Sequence, residues 1–512
     1  MKAKNIFKIS ILMLAFGLLT VGCSDDFYDV NNNPNDPSIS TPNLTLPVAQ
    51  EYFATLNGTT MTYMGNMFVY NWSKPSNWSA NQDYFRYNIT NSFNTGIFEG
   101  SYVNILKNLT YIENYVDETG SVDYSAYHVI AATMKAFQYQ LLVDIYGDIP
   151  YTEANKRSDN PTPAYDDAAT IYKDLIDKLT AAAQLANNLP GNAENPGSQD
   201  IIFGGDMEKW GQFANTVKLR MLVRLSNTGQ DAYIKEEVAK INQNGLGYIT
   251  EDVASNPGYS AAMEEQQSPF YGYFFKINDS QEDRNDFTVA SDYTIDYLNS
   301  TNDPRLYYLY KEAANGGYAG SYQAVDLPGS GFTSNDLSKV GVGLLKNSNQ
   351  DQIIMSLAEA LFIQAEAAQR GYITGANPQE LYEAGITSHF SYLYSGLEED
   401  NDPIDGDDPE ADAETYYSQN IENVGWASSS NKIEAILTQK WIALNGIASI
   451  ESWIDLTRTG FPENLPIPVD AAASGKSRPV RLLIPNSEQS RNSENAPKQT
   501  SDDAFNSDPF WR

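Results

Sequence analysis

A single cysteine, Cys23, in 512 residues rules out a disulfide within the chain. Only two histidines are present, His128 and His389, and neither has a cysteine, a second histidine or a nucleophile motif at ligand spacing. Histidine-dependent catalysis and zinc sites therefore have almost no raw material, and both residues read as structural. Positive charge is scarce as well: 33 Lys and Arg stand against 66 Asp and Glu, a formal charge of −33. Such a surface repels nucleic-acid phosphate and disfavours direct docking on anionic lipid. Long apolar runs are missing too. The best, residues 9–21, is shorter than the roughly 20 residues a membrane-spanning helix needs.

What is present begins with that run. Lys2, Lys4 and Lys8 precede it, and Gly22, Cys23 and the acidic Asp25 and Asp26 follow, the layout of an export signal cut before Cys23. TVGC resembles a lipobox, with Thr20 in place of the usual Leu, and the SDD after it resembles a surface-export signal of Bacteroidota-type lipoproteins. Cys23 is thus expected to be acylated and to hold the protein on the outer face of an outer membrane. An ordinary secretory signal with a chance cysteine is the alternative. Removing residues 1–22 takes away three lysines and no acid, which moves the charge from −33 to −36. Residues 23–43 read as lipid anchor and flexible tether, rich in Asn, Asp, Pro and Ser. About 20 flexible residues have an r.m.s. reach on the order of 25 Å.

The rest, 44–512, reads as one mostly α domain. Helical stripes appear at Leu109, Ile112 and Val116, at Ile130, Met134, Phe137 and Leu141 with Ser125 as cap, at Ile171, Leu175, Ile176 and Leu179, and through 209–226. Helical pairs are expected over about 44–245 and 351–460. In the latter, Ile354, Leu357, Ala358, Leu361, Ala365 and Ala368 share a face, and Asn431 with Glu434 resembles a capping box. Residues 246–350 are dense in Gly, Tyr, Asn and Ser and read as long loops with short strands, the kind of segment that carries function.

Motifs in order along the chain carry a family resemblance: DIYGDIPYTEA at 144–154, KWGQFANTVKLRMLVRLS at 209–226, NDPRL at 302–306, SLAEALFIQAEAAQRG at 356–371, KIEAILTQKWIALNGI at 432–447, ESWIDLTRTGFP at 451–462, LLIPNSEQSRNSENA at 482–496 and the terminal DPFWR. Together they resemble the SusD/RagB family over nearly the whole mature chain. One departure is Thr457–Arg458, where the family often has paired arginines before TG. The resemblance implies a SusD-like fold with tetratricopeptide-like helix pairs and a loop-rich ligand-facing region. It also implies a nutrient-binding role beside a SusC-like TonB-dependent barrel, with an oligosaccharide or a peptide as ligand. The motif residues Trp441, Trp453 and Arg458 are expected to pack helices and cap loops.

The chain holds 34 Tyr, 21 Phe and 7 Trp, and flat rings with a polar edge suit sugars and peptide side chains alike. In 68–88, Tyr70, Trp72, Trp78 and Tyr84 lie among Asn81 and Asp83. In 270–286, Tyr271 and Tyr273 lie among Asn278, Asp283 and Arg284, and Tyr318 and Tyr322 sit among glycines. These thirteen residues are the expected ligand contacts; the alternative for the rings is burial as core. Asp400, Asp402, Asp405, Asp407 and Asp408 supply oxygens enough for calcium but lack the order of an EF-hand, so a solvated loop is expected and no cofactor is predicted. A glycan is favoured over a peptide by the ring-and-amide composition. A helical-repeat scaffold that binds only protein, and a surface glycosidase using two of the many carboxylates, are the remaining readings.

Overall fold

The computed structural model describes residues 40–117, 119–322, 332–397, 402–404 and 408–512. Cys23, the signal segment and the tether up to residue 39 lie outside the described residues, as do Asp400, Asp405 and Asp407 of the acidic loop. The body treated below is Pro42–Arg512.

Its helices include α1 (Pro42–Leu56), α2 (Thr62–Phe68), α3 (Lys107–Glu113), α4 (Ser125–Tyr146), α5 (Ala168–Asn187), α6 (Met207–Arg224), α7 (Asp231–Asn244), α8 (Leu357–Gln369), α9 (Pro378–Tyr394), α10 (Pro409–Tyr417), α11 (Lys432–Ala443) and α12 (Ser449–Thr459). Sequence neighbours pack as pairs, α3 on α4, α5 on α6 and α8 on α9, and the pairs join because α4 also packs on α5 and α6 while α8 meets α11. Side-chain caps explain several starts: Asp167, Asp206, Ser356 and Asn431 each accept from a first-turn N–H. Asn431 thus caps α11 as its sequence suggests. Ser125, however, is the first helical residue of α4 and caps nothing; its own N–H is held by Asp123 at 2.9 Å.

Two π turns, Asn57–Met61 and Ser101–Leu106, are fixed by one buried side chain of α4. Gln138 accepts from Asn57 at 3.0 Å and donates to Ser101 at 2.8 Å. Gly65 lets α2 cross α12 closely, since a Cβ there would lie 2.2 Å from the backbone of Ile450.

Two periodicity readings change. Val116 lies beyond the end of α3 and is exposed. Ile354 belongs to a strand, and α8 buries two faces instead of one stripe: Ala358, Phe362 and Ala365 enter a smaller cluster with Tyr382, Phe390 and Tyr416, while Ala360, Ile363 and Ala367 enter the main core. Leu357 and Leu361 are left half-buried because the helix is sandwiched between the two clusters.

Inside the core runs a web of charge. Arg220 meets Glu359 (3.2 Å) and Glu451 (3.4 Å); Arg224 meets Glu451, Asp455 (2.8 Å) and Asp144 (3.4 Å); Lys440 meets Asp455 (2.8 Å); and Arg458 meets Glu366 (2.7 Å) and Asp455 (3.1 Å). Trp511, near the C-terminus, donates to Asp144 at 2.8 Å. Trp441, Trp453 and Arg458 are buried, as their motifs suggest.

Strands are few and short. A four-stranded sheet runs in the order β1 (Trp72–Ser73), β5 (Val289–Ala290), β7 (Lys339–Val340) and β6 (Tyr310–Lys311); β2 (Ile149–Pro150) pairs with β3 (Tyr165–Asp166), and β4 (Val253–Ser255) with β8 (Gln352–Met355). The first of these sheets gathers the loop-rich segments.

Candidate functional site

Tyr70 leaves α2 with φ 61°, turning the chain so that Trp72 and Ser73 pair with Ala290 and Val289. Val289 in turn pairs with Lys339, and Ser291 bridges Ser321. Segments 70–84, 271–291 and 318–322, the first nearly 190 residues or more from the others in sequence, are thereby drawn to one face together with 332–340. Gly320 is essential to this, because a Cβ there would lie 2.1–2.2 Å from the backbone of Ser291 and Asp292. The glycine serves backbone-to-backbone approach.

At this face Asp286 is the hub. It accepts from the Trp78 indole N–H at 2.6 Å, from Lys339 at 2.7 Å and from the Ser334 hydroxyl at 3.0 Å. Burial pushes its carboxyl up, but these donors outweigh burial and hold it below the usual carboxylate range. Asn77 is tied to the same group, donating to Ser334 Oγ at 3.2 Å and accepting from the Ser334 N–H at 2.9 Å. Trp78 keeps part of its ring at the surface and meets Phe287 edge-on at 5.6 Å.

A second group adjoins it. Asn81, held at φ 62°, donates to the Tyr63 hydroxyl at 2.7 Å, and Tyr63 meets Tyr84 (6.3 Å) and Tyr273 (5.7 Å) edge to face. The Arg284 guanidinium lies 3.4 Å from the Tyr273 ring centroid and donates to the Tyr273 carbonyl at 3.0 Å. No described carboxylate lies within ion-pair distance of Arg284. Burial raises Tyr273, and Arg284 partly offsets it. Tyr84, also half-buried, receives a 2.9 Å bond from Asn94. Half-buried Tyr318 packs edge-on against Tyr307 at 5.4 Å; Tyr307 is 41% exposed and Tyr322 52%. A recess of about 190 Å³ between Gln281, Asn285, Lys311, Glu312 and Lys339 opens beside them.

Three expected contacts are core. Trp72 is 0% exposed between Tyr63 and Phe274, Tyr70 is 1% exposed, and Tyr271 is 7% exposed and stacked on Phe275 at 5.0 Å. Buried in this way, they shape the face and do not display a ring. Asn278 is exposed but caps its own turn through Ser280 (2.6 Å), and exposed Asp83 accepts from Asn88 at 2.9 Å. Asp283 is exposed at the start of the short helix Asp283–Phe287 that carries Arg284 and Asp286. Tyr63, Asp286, Ser334 and Lys339 join these groups through side-chain contacts between distant segments, which no local sequence pattern marks beyond the DRND of 283–286.

Elsewhere, His389 is fully buried with Nδ1 3.1 Å from Arg305. Asp408 caps α10, and Asp402 accepts from Tyr308 at 3.3 Å. Among the described residues no group of three His, Cys, Asp or Glu is placed to hold a metal ion, and no helix is long and apolar enough to cross a membrane.

A SusD-like family model, described as starch-binding and associating with the outer membrane, matches residues 34–485. A solved chitin-binding protein is 25% identical, with 89% of this chain and 95% of that one covered at a TM-score of 0.72. A chitin-binding SusD homolog from Flavobacterium johnsoniae (20%, 91% and 98%, TM-score 0.72) shares the fold. So does a SusD/RagB family protein from Bacteroides thetaiotaomicron (18%, 92% and 99%, TM-score 0.73). No curated protein matches the sequence.

Proposed function

This chain belongs to the SusD-like family of outer-membrane-associated starch-binding proteins, and on that premise we propose that it is a surface lipoprotein, anchored through Cys23, that binds an oligosaccharide on its loop-rich face. It hands the ligand unchanged to a SusC-like TonB-dependent barrel. The observation that carries this reading is the joining of Trp78, Tyr273 and Arg284 to Asn77, Asn81, Asp286 and Lys339 on one surface. Rings offer apolar area to a sugar face, and fixed amides and charges orient its hydroxyls. Two solved relatives with this fold are described as chitin-binding, which favours a glycan over a peptide.

Retention without conversion fits the state of Asp286. A glycosidase needs one carboxyl able to give a proton beside a second carboxylate. Asp286 is lowered by its three donors, which suits an acceptor of sugar hydroxyls better than a proton donor. A combined glycan and peptide array, followed by mass analysis of the eluted ligand, tests the reading. Capture of an oligosaccharide recovered at its original mass is expected. Shortened products, or capture of peptides alone, would overturn it.

A further inference from the structure

A second concavity lies among the helix pairs, built from α3, α4, the turn after β2 and α5, and it shares no residue with the loop-rich face. Its volume is about 730 Å³, within the range of small-ligand sites and larger than the recess beside Lys339. Two ion pairs stand in its walls. Glu113 of α3 pairs with Lys135 of α4, and Asp174 of α5 pairs with Lys178 at 2.9 Å. The Tyr151 hydroxyl joins the second pair, donating to Asp174 and accepting from Lys178 at 2.8 Å. Asn155 donates to the Tyr139 hydroxyl at 3.1 Å, and Tyr139 meets Tyr151 edge-on at 4.8 Å. Thr110, in the same wall, has a hydroxyl with no hydrogen-bond partner among the described residues.

The charge pattern selects a ligand class. Lys135 and Lys178 already face a carboxylate, and the third lining lysine, Lys156, shares the wall with Asp159 and Asp166, so three lysines stand against four carboxylates and an entering anion meets a net negative lining. A vicinal diol suits the pairs: one hydroxyl donates to the carboxylate while its neighbour accepts from the ammonium, and the pair stays closed. Asp174 and Lys178 remain about half exposed, open to such contact.

We propose that this cleft is a second saccharide site, taking a short neutral glycan unit through the Glu113–Lys135 and Asp174–Lys178 pairs. It rests on the reading that the ligand is a glycan, but it concerns other residues. A cleft of about 730 Å³ has room for a chain end or a disaccharide.

The test is hydrogen–deuterium exchange on the whole mature protein with maltose, cellobiose, N,N′-diacetylchitobiose and, as an acidic control, digalacturonate. Protection of 107–113 and 149–178 by a neutral disaccharide is expected, with none from the acidic one. In Asp174→Asn, at an unchanged melting temperature, that protection should need about tenfold more sugar, the loss of one charge-assisted hydrogen bond. A second variant, Lys178→Met, guards against a folding effect of the first and should shift it likewise. Protection confined to 72–84 and 271–286 overturns the cleft and leaves the loop-rich face standing. Equal protection by digalacturonate overturns the neutral class, and protection at neither face by any of these sugars overturns both readings.

Discussion

Trp72 lies sealed between Tyr63 and Phe274 with its indole nitrogen unpartnered, while Trp78, six residues on, gives its N–H to Asp286 and keeps part of its ring at the surface. Trp72→Ala empties a core site and should cost about 3–5 kcal/mol of stability in denaturant titration. His389 titrates by burial first and by Arg305 second, both of which depress its folded pKa well below the usual value. The unfolded chain then takes up a proton below pH ~6.5 that the native state refuses, so stability falls as pH falls from there. Between pH 6.5 and 5.5 the wild type should lose up to about 1 kcal/mol more than His389→Gln, compared by denaturation at both values. Two of the three buried candidate rings were misread for one reason. Tyr, Trp and Asn in a turn-rich segment look alike whether displayed or covered, and part of what covers Tyr70 and Trp72, Ser321 and Phe274, lies 200 residues or more downstream. Trp78, Asn81, Tyr273 and Arg284 keep partial exposure, in keeping with a segment where amides and a cation stand beside rings.

Among the elements, three of the motifs that carry the family resemblance are pieces of one charge web. KLRMLVR supplies Arg220 and Arg224, AEALFIQAEA supplies Glu359 and Glu366, and ESWIDLTR supplies Glu451, Asp455 and Arg458. They report the fold and say nothing of the ligand. Burial pushes Asp455 up, but Lys440, Arg224 and Arg458 outweigh it and hold it far below the usual range; Glu366 is likewise lowered by Arg458. Arg458→Met leaves two buried carboxylates short of a partner, and a loss of about 3–5 kcal/mol is expected in denaturant titration. The lowered carboxylates contribute stability above their unfolded pKa, about 4, that is lost as pH falls below it. Helix existence was legible from periodicity. The two-faced burial of α8 was not, because a stripe count assumes one core and this helix divides two.

At the scale of the molecule, helix pairs spend their apolar faces on one another and leave the irregular segments to display rings and amides. A four-stranded sheet of two-residue strands ties those segments down. Cys23→Ala should release the protein from the membrane, read as a shift to the soluble fraction, whereas unchanged membrane fractionation would refute the anchor. The claim on which the account turns is that the Trp78–Asp286 and Tyr273–Arg284 groups hold an oligosaccharide. Calorimetry with the array-selected glycan on wild type, Trp78→Ala and Arg284→Ala, each at an unchanged melting temperature, tests it most directly. A loss of roughly 1–3 kcal/mol, about ten- to a hundredfold in affinity, is expected in each variant; wild-type affinity in both would contradict the account.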